Sequence, residues 1–492
     1  MAQTPRLSLV TDLTETSPPL VVDLDGTLVK TDLLLETASR FVTRHPWQTG
    51  RLLGWLLAGK PVLKARLAEA CPLDPAHLPY REDLLAWLRQ QRTEGRSLVL
   101  ATASHRRLAE PLARHLGLFD QVLASDGQVN LAGLHKRACL VEGYGQGGFD
   151  YVGNSQADVP VWRAARRAYL VSSSPALIAQ VGALGKLAQR WDDGRPPRHL
   201  ALLRAARPHL WVKNLLLLVP LLVAHRYGDG ASLAAALLAL LVFSLATSSV
   251  YLLNDLADLA EDRRHRRKRQ RPCAAGDLSL LDAWLAWPLL LLTAFGIGSI
   301  ALPWSFVALL AGYFLATLAY SLWLKRLVLV DVLTLAGLYT LRIFAGALVI
   351  GVPVSFWLLA FSLFFFLSLA FLKRFSELKS TRLGSKASAL PGRGYRQEDL
   401  EMVSSLGTGA GYLSILVLAL YIQDQHTAQL YHRPEFIWLA CPLLWWWLSR
   451  AWLIAHRGEM RDDPVLFALQ DRGSWTVAAG FLLAFGLARV LT

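Results

Sequence analysis

The stretch SSVYLLNDLADLAEDRRHRRKRQRPCAAG, residues 248–276, decides how the rest of the chain is read. It closes an apolar run of bilayer length with three carboxylates, Asp255, Asp258 and Asp262, spaced by three and four residues. The cations Arg263, Arg264, Arg266, Arg267, Lys268, Arg269 and Arg271 follow at once. On a continuous helix this spacing sets the three carboxylates on one face. Like charges gathered at the end of a membrane run are costly unless something neutralises them. A hard divalent cation such as Mg²⁺ does so with oxygen ligands and shares its shell with substrate phosphates. The segment therefore predicts a metal–diphosphate site, with Asn254 beside the first carboxylate and Lys268 and Arg271 taking up remaining phosphate charge. The plain alternative is a solvated helix end followed by a positive-inside cluster. It accounts for the arginines but poorly for the carboxylates.

Outward from this stretch the chain changes character. It has 492 residues, 53% hydrophobic and 18% charged, with a net charge of +14. Residues 1–200 mix apolar and charged residues as soluble domains do, whereas from about Leu210 long apolar runs alternate with short basic clusters. Nine candidate spans are predicted, near 211–226, 231–253, 279–302, 304–323, 329–351, 353–373, 403–422, 434–455 and 474–491. Lys325 and Arg326, then Lys373, Arg374, Lys379, Arg382, Lys386, Arg393 and Arg396, then Arg457, Arg461 and Arg472, share alternate loops with the arginine run, while the opposite loops carry Arg226 and Arg433. The positive-inside rule then puts the long loops and residues 1–200 on the cytoplasmic side. Basic residues set beside apolar runs favour a membrane over nucleic acid as the partner. Cys71, Cys139, Cys273 and Cys441 are too scattered for a metal-ligand pair or a disulfide framework. The first twenty residues lack the apolar core of a signal peptide.

The N-terminal part reads as an α/β domain. Leu20-Val21-Val22 is a buried strand running into Asp23-Leu24-Asp25-Gly26-Thr27. A mainly helical stretch from about Leu33 to Gln91 follows. Further strands are predicted at Ser97–Ala101, ending at Thr102, and Phe149–Val152, ending at Gly153-Asn154-Ser155-Gln156-Ala157-Asp158. Strands alternating with helices imply a sheet with its chemistry at the strand ends. Asp-x-Asp-Gly-Thr after a strand resembles the first motif of the haloacid dehalogenase (HAD) phosphohydrolases. The resemblance implies Asp23 as the nucleophile, Asp25 as general acid/base, Thr102 as the phosphate-binding hydroxyl and Lys136 as the third-motif lysine. It also implies a helical cap over about 33–95, and Mg²⁺ held by Asp23, Asp25, Asn154 and Asp158. The fourth motif ordinarily begins Gly-Asp; Asn154 stands in place of that carboxylate and brings no charge.

The membrane part carries a second resemblance. Asn254-Asp255-x-x-Asp258-x-x-x-Asp262, with Lys268, Arg271-Pro272 and Gly276, resembles the first signature of the UbiA superfamily, which implies nine helices and Mg²⁺ held by Asp255, Asp258 and Asp262, the first two also catalytic. Arg207-Pro208-x-x-Trp211-x-Lys213-Asn214, Tyr320-Ser321-x-x-Leu324-Lys325 with Asp331, Arg342 with Ala345-Gly346, and Lys373-Arg374-x-x-Glu377-Leu378 look like the branch that moves phosphoribose from phosphoribosyl pyrophosphate onto a polyprenyl phosphate. That resemblance implies substrate contacts from Lys213, Asn214, Tyr320, Lys325, Asp331, Arg342, Lys373 and Arg374. Prenyl transferases of the superfamily carry a second motif with paired aspartates, but Asp331 has no close acidic partner. The alternatives are transfer of a polyprenyl group to an aromatic or other small acceptor beside a degenerate HAD domain, and a non-catalytic lipid-binding protein. The expected layout is a tail over 1–17, a HAD domain over 18–180, a linker over 181–205, with Asp192-Asp193-Gly194-Arg195-Pro196-Pro197-Arg198 as its polar core, and the membrane domain over 206–492. A bacterial inner membrane is the expected location, and a homo-oligomer is left open.

Overall fold

The computed structural model describes residues 17–384, 393–423, 431–460 and 463–490. All but the last residue of the expected tail lies outside these, as do Lys386 and Arg461. The chain divides into two compact units: Met1–Ala206 with Tyr251–Trp287, and Arg207–Val250 with Pro288–Thr492. The stretch bearing the acidic residues thus belongs to the same unit as the α/β domain.

In the first unit, six parallel strands form one sheet in the order β3-β2-β1-β4-β5-β6. They are β1 Leu20–Val22, β2 Leu98–His105, β3 Gln121–Ser125, β4 Asp150–Gly153, β5 Ala168–Val171 and β6 Leu187–Trp191. Every strand but the edges is buried on both faces, which is why the runs LVV and LVLA read as continuously apolar. The order reverses beside β1, where β2 pairs on one side and β4 on the other, Leu20 standing opposite both Leu98 and Asp150. This switch point opens a crevice at the carboxyl ends of the strands. Asp23, Thr102 and Asn154 all fall there. β6 occupies residues expected to lie in the linker. The polar run after it is pinned: Arg81 donates to the Asp193 carbonyl at 2.5 Å and Arg195 to that of Lys30.

The helical stretch after the first motif resolves into the helices Leu33–Arg44, Gly50–Leu57, Lys60–Ala70 and Glu82–Thr93. Asp32 caps the first, accepting from the backbone N–H groups of Leu34 and Leu35 at 2.8 and 3.2 Å.

The second unit is helical. Among the described residues, seven helices are long and apolar enough to cross a membrane, or eight if the bent pair Arg198–Ala206 and Pro208–Val223 is one span. The expected count of nine is not confirmed. The first predicted span is a 3₁₀ run, Pro208–Leu218, followed by the five-residue helix Val219–Val223. Pro220 and the shortness of the segment account for its broken form. The last, Arg472–Val490, is helical and is not among the seven. The seven are Gly230–Ala257, Leu280–Ala301, Trp304–Leu322, Val330–Ile350, Phe356–Ser380, Gln397–Ile422 and Pro434–Arg457. An apolar groove of about 530 Å³ lies between Val330–Ile350 and the helix after it, lined by Leu341, Phe344, Phe356, Leu359, Leu363 and Phe364.

Candidate active sites

The sheet's switch point builds the first site. Asp23 sits one residue past β1 and accepts from Thr27 Oγ1 at 3.2 Å and from Lys136 Nζ at 2.7 Å. Lys136 is buried and also lies 3.7 Å from Asp158, so one ammonium neutralises two carboxylates. Asp25 accepts from the Leu33 N–H at 2.8 Å, from Ser104 Oγ at 2.6 Å and from Thr102 Oγ1 at 3.2 Å. Burial pushes the Asp23 carboxyl up to about 7 against the pull of Lys136, with Asp158 adding to the rise. Burial, with Asp32 behind it, pushes Asp25 up to about 6 against its hydrogen bonds from Ser104 and Leu33. A carboxyl poised there can both give and take a proton near neutral pH.

Asp158 is held by the Asn154 N–H at 3.2 Å, the Ser155 N–H at 3.1 Å and hydroxyl at 2.9 Å, and Tyr151 OH at 2.7 Å. Asn154 packs tightly enough that a Cβ on Gly26 would come within 2.2 Å of its amide nitrogen; Gly26 has φ +73. The structure places the predicted Asp23, Asp25, Thr102, Lys136, Asn154 and Asp158 together at the ends of the strands. The sequence reading does not single out Tyr151, a hydroxyl hidden inside an apolar strand, nor Ser104 and Lys64. Lys64 reaches from the cap helix Lys60–Ala70 to the Ala103 carbonyl at 2.5 Å and Asn130 Oδ1 at 2.8 Å.

The acidic stretch, also in the first unit, departs from one expectation. The helix Gly230–Ala257 stops, and Asp258 (φ −95, ψ 12) opens a short second helix, Leu259–Arg264. The continuous helix of the sequence reading is thus interrupted at one residue, although the backbone bonds from Asp258 N–H to the Asn254 carbonyl and from Asp262 N–H to the Asp258 carbonyl persist, both at 2.8 Å. Asp255 and Asp262, both buried, are drawn together by Arg271, whose Nη1 lies 3.2 Å from Asp255 and 2.5 Å from Asp262. Asp258 stands half-buried at the junction and Asn254 half-buried a turn before it. Lys268 is exposed, 4.0 Å from Asp262. Burial raises the Asp262 carboxyl against the pull of Arg271. Asp262 Oδ1 is buried and accepts no hydrogen bond.

Arg263, next to Asp262, makes a two-pronged pair with Glu36 of the cap at 2.5 and 2.9 Å. Arg264 reaches Asp74 at 2.9 Å, and Trp284 Nε1 donates to Ser39 Oγ at 3.1 Å.

The second unit gathers the remaining predicted residues into two groups. Buried Arg342 donates to Asn214 Oδ1 at 3.0 Å, the Leu338 carbonyl at 2.7 Å and Tyr313 OH at 2.6 Å, and lies over the rings of Tyr313 and Tyr339. Nearby, Lys213 and Lys373 converge on one oxygen of Asp463, at 3.0 and 2.7 Å. Burial works against ionisation of Asp463, yet Lys373 and Lys213 hold it well below the ordinary carboxylate range. Asp463 escaped the sequence reading; its only local signal is Asp463-Pro464 opening a short helix. The other group is closed on itself. Asp331, fully buried, accepts from Arg374 at 2.5 Å, Tyr320 OH at 2.8 Å and Arg393 at 3.2 Å, and Arg374 also pairs with Glu377. Lys325 lies in the 3₁₀ turn Leu324–Arg326.

Among the described residues no group of three or more His, Cys, Asp or Glu side chains converges as a ready-made metal site. Both first-unit sites nonetheless supply the oxygen donors that a hard cation takes: the Asp23 and Asp158 carboxylates with Asn154 in one, and the Asp255 and Asp262 carboxylates, with the open Asp262 Oδ1, in the other.

Residues 215–477 match the family model described as UbiA prenyltransferase family, and residues 55–163 that of the haloacid dehalogenase-like hydrolases. A protein of Sinorhizobium fredii, named uncharacterized protein y4nM, is 37% identical over 472 residues, covering 96% of this chain and 91% of that one. The decaprenyl-phosphate phosphoribosyltransferase of Mycobacterium tuberculosis is 30% identical over 309 residues, covering 59% of this chain and 98% of that one. A solved UbiA homologue from Archaeoglobus fulgidus bound to DMAPP and Mg²⁺ aligns at 18% identity and a TM-score of 0.44, covering 58% and 99% of the two chains.

Proposed function

The chain belongs to the UbiA prenyltransferase family and carries a haloacid dehalogenase-like domain ahead of the membrane part, and from that premise we propose that it moves phosphoribose from phosphoribosyl pyrophosphate onto a polyprenyl phosphate, after which the HAD domain removes the 5-phosphate. It is an integral membrane protein. In this reading its basic loops and HAD domain face the cytoplasm, where the water-soluble donor is found.

The observation that carries the choice of donor is the state of Asp331. Prenyl transfer in this family resemblance calls for a second pair of free carboxylates. Asp331 has both oxygens taken by Arg374, Arg393 and Tyr320. That leaves a single acidic motif, Asp255, Asp258 and Asp262, to serve one diphosphate. The similarity to a phosphoribosyltransferase over nearly that protein's full length supports the same choice.

In the transfer, an oxygen of the lipid phosphate bonds to the anomeric carbon as the bond from that carbon to pyrophosphate breaks. The nucleophile is already anionic and needs no base. Mg²⁺ bound by Asp255, Asp258 and Asp262 would neutralise charge gathering on the leaving pyrophosphate. Arg271 keeps Asp255 and Asp262 within reach of one another. Lys213 and Lys373, sharing Asp463, are the second unit's candidates for an anionic substrate group, and Arg342, bonded to Asn214, shares the Tyr339 ring with Lys213. The apolar groove lined by Phe344 and Phe364 suits a polyprenyl chain.

In the HAD domain, Asp23 attacks phosphorus while Asp25 protonates the departing ribose oxygen. Asp25 then takes a proton from the water that releases phosphate from Asp23. Lys136 and Thr27 hold the nucleophile, and Thr102 orients Asp25. Mg²⁺, with Asp23, Asp158 and the Asn154 carbonyl oxygen as ligands, would supply charge neutralisation at the transferring phosphoryl group. A phosphatase tethered beside the transferase meets the product at high effective concentration.

The deciding assay offers phosphoribosyl pyrophosphate with a polyprenyl phosphate, and a polyprenyl diphosphate with an aromatic acid, side by side in proteoliposomes. Mass spectrometry should find ribosyl-lipid product from the first pair only, lost in Asp255→Asn. Turnover only of the second pair overturns the reading. Asp23→Asn should accumulate the phosphorylated lipid; if the wild-type chain leaves it equally intact, the dephosphorylation step is refuted.

A further inference from the structure

The cap of the HAD domain carries a surface that the chemistry at Asp23 does not use. The helix Gly50–Leu57 has two faces. Leu52 and Trp55 turn inward and pack against Phe41, Leu67 and Cys71. Leu53, Leu56 and Leu57, at the i, i+3, i+4 spacing of a single stripe, turn outward and are 63%, 48% and 81% exposed; Trp47, just before the helix, is 95% exposed. A contiguous apolar patch of this kind on a soluble domain marks a binding face.

Its surroundings indicate what it binds. Between Glu36 and Glu69 the chain has no acidic residue, but it has Arg40, Arg44, Arg51, Lys60, Lys64 and Arg66. Arg44, Arg51 and Lys60 are exposed around the patch. Leucines and a tryptophan on one side with arginine and lysine beside them are the signature of an element lying in the headgroup layer of an anionic bilayer. The second observation is positional. The neighbouring cap helix, Leu33–Arg44, is held through Ser39 to Trp284, in the first turns of the span Leu280–Ala301. There Leu281 and Leu285 are themselves exposed, as lipid-facing residues of a span are. The cap thus touches the chain where a helix enters the membrane, and its apolar stripe lies one helix away.

We propose that the HAD cap is seated on anionic lipid headgroups through Trp47, Leu53, Leu56 and Leu57. Lys64 joins this seat to the catalytic crevice, because the helix following the stripe delivers it to the Ala103 carbonyl at the end of β2. A cap resting on the bilayer would receive a lipid-linked phosphate without lifting the lipid out of the membrane. That consequence rests on the phosphatase reading above; the seat itself does not.

The test uses the full chain in nanodiscs of phosphatidylcholine and phosphatidylglycerol, with a bimane label at Leu57→Cys or, as a control, at exposed Arg114→Cys. Label on the unsubstituted chain gives the background from native cysteines. Acyl-chain-brominated lipid should quench the Leu57→Cys label severalfold more than the control. Arg44→Glu with Arg51→Glu should bring quenching back toward it. Quenching no greater than the control overturns the proposal. So does quenching confined to discs holding two copies of the chain, which would mark the stripe as a protein–protein contact. In a second arm, Leu53→Asp with Leu57→Asp should slow phosphate release from the lipid-linked product severalfold and leave a water-soluble phosphomonoester unaffected. Equal release from the lipid-linked product by the two chains would overturn delivery through the seat, whereas no release by the unsubstituted chain would refute the phosphatase reading and leave the lipid seat standing.

Discussion

Asp25 shows what a buried carboxyl costs the domain that holds it. Its folded pKa, near 6, lies above its ordinary value of 3.8 because burial and Asp32 disfavour the anion. The folded chain therefore holds a proton that the unfolded chain has lost between those two values. By linkage, the contribution of Asp25 to stability is complete below pH 4 and fades as pH rises through 6. A neutral isostere escapes that loss. Asp25→Asn should raise the thermal midpoint of the HAD unit relative to wild type at pH 8 and leave it nearly unchanged at pH 4. The gain is about 1–2 kcal/mol, less than the full shift implies because the side chain remains partly solvated. Differential scanning fluorimetry of the full chain at the two pH values checks it, and an equal offset at both would refute the linkage. The motif residues around Asp25 are legible in the sequence because HAD chemistry fixes them at the ends of particular strands. Ser104, Tyr151 and Lys64 are not, because each is recruited by the path of the backbone after folding. Asp463 is the extreme case: it serves Lys213 across 250 positions of sequence, and no local pattern encodes that distance.

At the scale of elements, the second unit depends on a close backbone contact. A Cβ on Gly346 would stand 2.0 Å from the Leu217 carbonyl oxygen and 2.8 Å from its carbon. The helix Val330–Ile350 can therefore press on the segment Pro208–Leu218 only where it has no side chain, the small-residue packing that membrane helices use. That contact seats Asn214 on Arg342. Gly346→Ala should cost about 1–3 kcal/mol of stability and lower kcat/KM for transfer on the order of ten- to a hundredfold, by moving Asn214 off Arg342. Gly312→Ala, where nothing lies within 4 Å, should do neither. Equal transfer rates in both variants would refute the role of the contact. Gly346 stands out in the sequence only through a family resemblance; the reason for it lies in a partner 129 residues away. The spans themselves are easy to read because bilayer thickness imposes length and apolarity. The break at Asp258 is not, since Ala257-Asp258-Leu259 carries no helix breaker.

At the scale of the whole molecule, the acidic stretch and the HAD cap fold as one unit, and Glu36 with Arg263 is the clearest bond between them. The pair is bidentate, both partners are under a tenth exposed, and Thr31 Oγ1 adds a hydrogen bond to Glu36 at 2.7 Å. It also links two working groups. The helix bearing Glu36 begins at Leu33, whose N–H holds Asp25, and the helix bearing Arg263 carries Asp262. Removing one partner strands a buried charge, at about 3–5 kcal/mol, whereas removing both strands none. Glu36→Ala and Arg263→Ala should each destabilise the chain more than half as much as the double variant does, a strongly non-additive cycle by thermal unfolding. Each single variant should also slow both reactions, transfer through Asp262 and phosphate release through Asp25, while Glu69→Ala, on the exposed side of the cap, should slow neither. If Glu36→Ala slows phosphate release and leaves transfer at the wild-type rate, the pair braces the cap alone, and the two sites work independently despite sharing a fold.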